Sequence, residues 1–175
     1  MRWYWIDRFL EFESGRRAKA IKNVSLAEEH LHDHFPGYPV MPQSLIIEGV
    51  AQTGGLLVCE HSRFTEKVVL AKLTKVIFHC DATPGESLIY TATIDYITKD
   101  GAMVTATSYK GDVLQAEMEI VFAHLNGDRS PQNLFDPETF LRMMRILRAF
   151  EVGRAADGSR LVEPPEMVAA ARAKC

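Results

Sequence analysis

The sequence predicts an α+β layer fold: one buried helix wrapped by a curved antiparallel β-sheet, with an extra helical segment at the C-terminus. Three observations carry this. The stretch 43–60 is apolar nearly all round, which marks a helix inside a core rather than on a surface. From 68 to 125 the pattern changes to β-branched, partly alternating runs divided by turn residues. Helical spacing returns only after 136.

In chain order, RRAKAIKNVS (16–25) follows a Ser14-Gly15 turn and predicts a strand with Ala18, Ala20 and Val24 on one face. A His- and Pro-rich loop covers 30–41, and Pro42 suits the start of a helix because its missing N–H is not needed there. At 100° per residue that helix gathers Ser44, Glu48, Gln52, Gly55 and Cys59 on one stripe. Gly49, Gly54 and Gly55 weaken helix propensity, and make sense if something packs against the bare backbone. Strands are expected at 68–79, 87–97, 102–109 and 113–125, in a meander of about four. Lys99-Asp100-Gly101 and Lys110-Gly111-Asp112 are hairpin turns that force antiparallel neighbours. NGDRSPQNLF (126–135) is a linker by composition. Asp136-Pro137 resembles an N-cap with Pro at the first helical position, opening a helix over 137–150. Pro164-Pro165 precedes a weaker, Ala-rich helix. The expected organisation is one domain over 1–125, with a linker and helical extension over 126–175 packed on it.

Composition excludes several function classes. The 175 residues, 47% hydrophobic, suffice for one real core. A net charge of −3 leaves no footprint for nucleic acid. No apolar run reaches the ~20 residues of a membrane span, since Glu48 and Gln52 break the best candidate. Asp7, Arg8, Glu11 and Glu13 leave no room for the apolar region of a secretory signal. Cys59, Cys80 and Cys175 are odd in number and fit no zinc spacing, which predicts free thiols and a cytoplasmic protein.

The candidate site lies in HFPGYPVMPQSLIIEGVAQTGG (34–55). Glu48 sits in an apolar run that looks built for burial, where a carboxylate needs a partner or must stay neutral. His30, His32 and His34 alternate, and on an extended segment their rings would point the same way. No carboxylate or thiolate cluster accompanies them, so no metal is expected. Arg142, Arg145 and Arg148 form a basic stripe with two readings, a solvated helix face or a landing site for an acidic partner. Lys72 and Lys75 are weaker candidates of the same kind.

This segment, with the spacing HFPG-x-P-x-x-P…E, resembles the signature of FabZ-type 3-hydroxyacyl-acyl-carrier-protein dehydratases, a hot-dog-fold family. The resemblance extends over about 5–125, through IDRFLEFESGRRAKAIKNVS (6–25), TPGESL (83–88) and GDVLQAEMEIVFA (111–123). It implies His34 as catalytic base and Glu48 as catalytic acid, meeting across a homodimer interface. It implies three such dimers in a hexamer, an acyl chain in a tunnel between hot-dog units, acyl carrier protein as partner, and no cofactor. The dehydration needs a base at C2, a donor to the thioester oxygen and an acid at the C3 hydroxyl. The resemblance assigns the donor to the backbone N–H of residue 43, where the family has glycine and this chain has Gln43. Gln43 retains the N–H, at the risk of strain if glycine served a positive φ. Gln52 is expected to orient Glu48 by an i,i+4 hydrogen bond, and Phe35 and Gly37 to shape the loop. Tyr38 either lines the tunnel or is exposed. A hot-dog thioesterase and a non-catalytic acyl-binding homologue are the alternative readings.

Overall fold

The computed structural model describes residues 4–125 and 136–172; the expected linker at 126–135 and Cys175 lie outside them. The elements are β1 (Arg8–Glu13), β2 (Arg17–Asn23), α1 (His30–Asp33), α2 (Gln43–His61), β3 (Lys67–Phe78) and β4 (Ser87–Thr98). They continue with β5 (Gly101–Lys110), β6 (Val113–Leu125), α3 (Pro137–Ile146), α4 (Ala149–Val152), β7 (Gly153–Arg154) and α5 (Pro165–Arg172). Among the described residues one seven-stranded sheet forms, in the order β3-β6-β5-β4-β2-β1-β7. This is the predicted α+β layer fold, a sheet curved around one long helix.

β4, β5 and β6 follow the two predicted hairpins and pair antiparallel. The four-strand meander is corrected: β3 pairs with β6, and β2 takes the place beside β4. The connection 79–86 is the reason. It does not turn back as a hairpin but passes the start of α2, where the Ala82 carbonyl accepts from the Met41 N–H at 2.8 Å. Strand alternation then builds the core. Leu88, Tyr90 and Ala92 of β4, Val104 and Ala106 of β5, and Met118, Ile120 and Phe122 of β6 are all buried.

α2 packs on this face through Val50, Thr53 and Leu57, each fully buried. The close approach expected at its glycines is present. A Cβ on Gly49 would lie 2.5 Å from the Trp5 carbonyl oxygen and 2.6 Å from the Tyr90 ring. Gly54 and Gly55 are covered by Phe122, 3.3 and 3.2 Å from where their Cβ atoms would stand. In β2, Ala18 and Ala20 are buried as expected, and Lys22 continues the same face. Its ammonium is held by Glu28 at 2.7 Å and by the Asn23 carbonyl, so the buried charge is paired.

The C-terminal elements stitch onto the far edge of the sheet. Asp136 caps α3 by accepting from the Thr139 N–H at 3.0 Å. The helix expected over 137–150 stops at Ile146, and a turn through Arg148, at φ 60°, starts α4. The break has a tertiary cause. The Leu147 carbonyl turns to accept from the Phe9 N–H at 2.8 Å, at the irregularity in β1. β7 then pairs parallel to β1. Leu141, Met144 and Leu147 are buried.

Glu60, near the end of α2, is buried, and one of its carboxyl oxygens has no partner among the described residues. Burial pushes its carboxyl above the usual range, offset in part by a hydrogen bond with Ser14. In the unfolded chain the group ionises near pH 4.3, while the folded protein holds the proton to higher pH. Stability attributable to this group is therefore fully present below the unfolded value and is lost as pH rises through the folded one. Glu60→Gln is expected to raise the melting temperature by a few degrees at pH 8. The difference should disappear in melts below pH 4.

Candidate active site

The loop before α2 is tightly fastened. Phe35 and Tyr38 exchange backbone hydrogen bonds at 3.0 and 2.9 Å across a turn with Pro36 and Gly37 at its tip. Gly37 takes φ 80°, the left-handed value such a turn requires at its third residue. The Val40 N–H closes on the His34 carbonyl at 2.8 Å, and Met41 is tied to Ala82. The His34–Phe35 peptide is cis, and the two rings stack with centroids 4.1 Å apart. His34 is half-buried, and among the described residues no side chain hydrogen-bonds its imidazole. Phe35 and Tyr38 are exposed.

Pro42 is the N-cap of α2, and Gln43 is its first residue. The Gln43 N–H belongs to the unsatisfied first turn, and no described group accepts from it. Gln43 does not adopt positive φ, so replacing glycine here introduces no backbone strain. His34, Phe35, Tyr38, Gln43, Ser44 and Asp81 share one recess of about 380 Å³. His34 and the first turn of α2 thus line a common space, where the positive end of the helix dipole favours negative charge.

Glu48 requires a correction. Its carboxylate is exposed on this chain rather than buried. The sheet covers the opposite faces of α2, and of the predicted stripe Ser44 and Glu48 are exposed, Gln52 and Gly55 half-buried, and only Cys59 is buried. Gln52 does hold Glu48 as expected. Its Nε2 donates to Glu48 Oε1 at 2.9 Å, while its own Oε1 accepts from the Trp5 N–H at 2.9 Å. Trp5 is thus a positioning group that sequence patterns did not reveal, because a backbone N–H carries no residue signature. Glu48 and Gln52 line a second recess, of about 260 Å³, which does not include His34. One chain therefore supplies the two halves of the expected site in separate places. Phe140 and Met143 of α3 also line the Glu48 recess; the sequence predicts their helix but not what it faces.

The remaining candidates resolve into structure. Arg142 pairs with Glu138 at 2.6 Å, Arg145 with Glu163 at 2.6 and 2.7 Å, and Arg148 with Glu151 at 2.6 Å. The basic stripe is thus an ion-paired helix face. Lys72 and Lys75 are exposed on β3, without an ion pair among the described residues. The segment carrying His30 and His32 is helical, not extended. Burial lowers the His30 pKa, and its ring packs edge-on against Trp5 at 5.2 Å. Among the described residues no group of three or more His, Cys, Asp or Glu could hold a metal, and no helix is long and apolar enough to cross a membrane.

The family model described as a FabA-like domain matches residues 3–123. The 3-hydroxyacyl-acyl-carrier-protein dehydratase FabZ of Pelotomaculum thermopropionicum is 37% identical over 119 residues, covering 67% of this chain and 85% of that protein. FabZ of Fusobacterium nucleatum is also 37% identical over 119 residues, covering 67% and 83%. Among solved structures, a Streptococcus mutans protein bound to acetyl-CoA superposes with a TM-score of 0.59 at 13% identity, covering 72% of this chain and 94% of that one. A dehydratase heterocomplex from Xenorhabdus doucetiae superposes with a TM-score of 0.52 at 15% identity, covering 63% and 89%. At these identities the structural matches establish the fold alone, a hot-dog.

Cys59 lies on the same stripe as Glu48 and is a free, buried thiol. Burial pushes its pKa up to about 12. A thiol so protonated is a poor nucleophile. Mass-spectrometric mapping after iodoacetamide at pH 8 is therefore expected to find Cys80, which is half-buried, labelled well before Cys59 in the native protein. Equal labelling would show that the thiol is exposed or activated.

Proposed function

The chain belongs to the FabA-like family, and from that premise we propose that it dehydrates 3-hydroxyacyl thioesters to trans-2-enoyl thioesters in fatty-acid or related lipid biosynthesis. The natural carrier on this reading is acyl carrier protein, and the compartment is the cytoplasm. The observation that carries the mechanism is the recess in which the half-buried His34 imidazole and the unclaimed Gln43 N–H face the same space.

The His34 imidazole takes the proton from C2, and the electron pair moves into the thioester as an enolate. The Gln43 N–H donates to the thioester oxygen as charge builds there. Glu48 gives its proton to the C3 hydroxyl, the C–O bond breaks, and water leaves as the C2–C3 double bond forms. His34 ends protonated and Glu48 ionised; a proton passing from one to the other restores both. Each proton transfer contributes roughly 10²–10⁴-fold. No cofactor enters this balance.

Separate recesses for His34 and Glu48 support a homodimer in which each site combines His34 of one chain with Glu48 of the other. The surface fits this reading. The Glu48 stripe is uncovered, and β3, at one edge of the sheet, exposes Leu70 and Ile77. A second copy over the stripe would cover the Glu48 carboxyl and exclude water from it. The trimer of such dimers remains part of the proposal.

Gln43→Pro tests the donor with little disturbance, because Pro is well tolerated at the first helical position and Pro42 already has the extended backbone that precedes proline. It deletes the N–H and is expected to lower kcat by about 10²–10³-fold. Gln43→Gly keeps the N–H and should stay within a few-fold of the parent. His34→Ala is expected to abolish hydration of crotonyl thioester, followed by loss of enoyl absorbance. Full activity in His34→Ala, or release of free thiol in place of hydration, would sink the dehydratase reading.

A further inference from the structure

The recess beside Glu48 follows the axis of α2. Glu48, Ala51, Gln52, Gly55, Leu56 and Cys59 line it, the spacing of one helical face, so it runs for about 16 Å. Past the Glu48–Gln52 pair its walls are apolar, with Val68, Leu70 and Phe122 facing the helix. At Gly55 the helix backbone lies close against this wall, with the Phe122 ring 3.2 Å from where a Cβ would stand. Beyond its far end lies a separate recess of about 230 Å³, lined by Phe64, Lys67 and Met167 among others. Cys59 and Phe140 line both spaces, so they form the partition between them. Phe140 is buried and held edge-on against Phe64, centroids 5.1 Å apart.

We propose that Phe140, flanked by Met143, is the stop of the acyl channel and sets the longest chain the site accepts. The inference rests on the dehydratase reading and adds a specificity-determining residue from outside the matched family domain. An acyl chain reacting at Glu48 has a polar end at the carboxylate and an apolar tail, the same polarity as the recess. Its tail, laid along the helix face, ends against the Phe140 ring. α3 lies beyond residue 123, where the family match ends, so this stop is supplied by the C-terminal extension.

The test is kcat/KM for hydration of trans-2-enoyl thioesters from crotonyl to dodecenoyl, using the full chain. Phe140→Ala joins the two recesses and is expected to raise the dodecenoyl-to-crotonyl ratio about tenfold or more. Met143→Trp narrows the recess and should move the ratio the other way. Met143 is half-buried, so this second variant keeps the test decisive if Phe140→Ala does not fold. A merely structural role would lower every chain length by the same factor, and that result overturns the proposal. Absence of turnover by the parent protein at every chain length overturns the dehydratase reading, and the inference with it. Parent turnover with an unchanged ratio in both variants overturns the inference alone.

Discussion

The contact on which the molecule depends is the one between the backbone of α2 and the chain entering β1. At Gly49 no Cβ separates the helix from the Trp5 carbonyl and the Tyr90 ring. Any side chain there would push the helix away from the sheet. One turn on, the Trp5 N–H holds Gln52, and Gln52 holds Glu48. The same short piece of backbone therefore sets the depth of the helix and the direction of its carboxylate. Because the glycine face lies against Trp5 and β4, the polar stripe must look outward. Exposure of Glu48 follows from close packing on the other side.

The C-terminal extension acts on the same helix from a different direction. It is attached by backbone hydrogen bonds, Phe9 to the Leu147 carbonyl and β7 alongside β1, and by buried side chains such as Phe140, Met144 and Phe150. These bonds occupy the edge of the sheet that β1 would otherwise leave open. They also fix where α3 stops, and so where Phe140 and Met143 stand relative to the Glu48 recess. The opposite edge, β3, carries no such cover among the described residues and exposes Leu70 and Ile77. The two edges thus have different fates. One is closed by the chain itself, and the other is left for the second copy on the dimer reading.

The chemistry divides along the same lines. The N-terminal end of α2 presents His34 and the Gln43 N–H in one recess, while the middle of the helix presents Glu48 in another. Gln43 in place of glycine changes the side chain at the mouth but not the donor, since its backbone has ordinary helical-entry geometry. On the dehydratase reading, substitution there bears on which thioester fits, not on whether an oxyanion can be held.

The sequence by itself determined the elements and the chemical groups. Period-2 and period-3.6 patterns marked β4, β5, β6 and α2 because side-chain alternation is a local property. The HFPG motif, Glu48 and Gln52 were legible for the same reason, as was the i,i+4 bond between the last two. Tertiary structure decided what depends on distant partners. β3 beside β6 depended on the path of 79–86, the break at Leu147 on a hydrogen bond to Phe9, and the pairing of Arg145 on Glu163. Burial is the clearest case: the run around Glu48 is apolar enough for a core, but which face is covered is set by where Gly49 lets the sheet approach. A local pattern records what a residue is, and only the fold determines what stands against it.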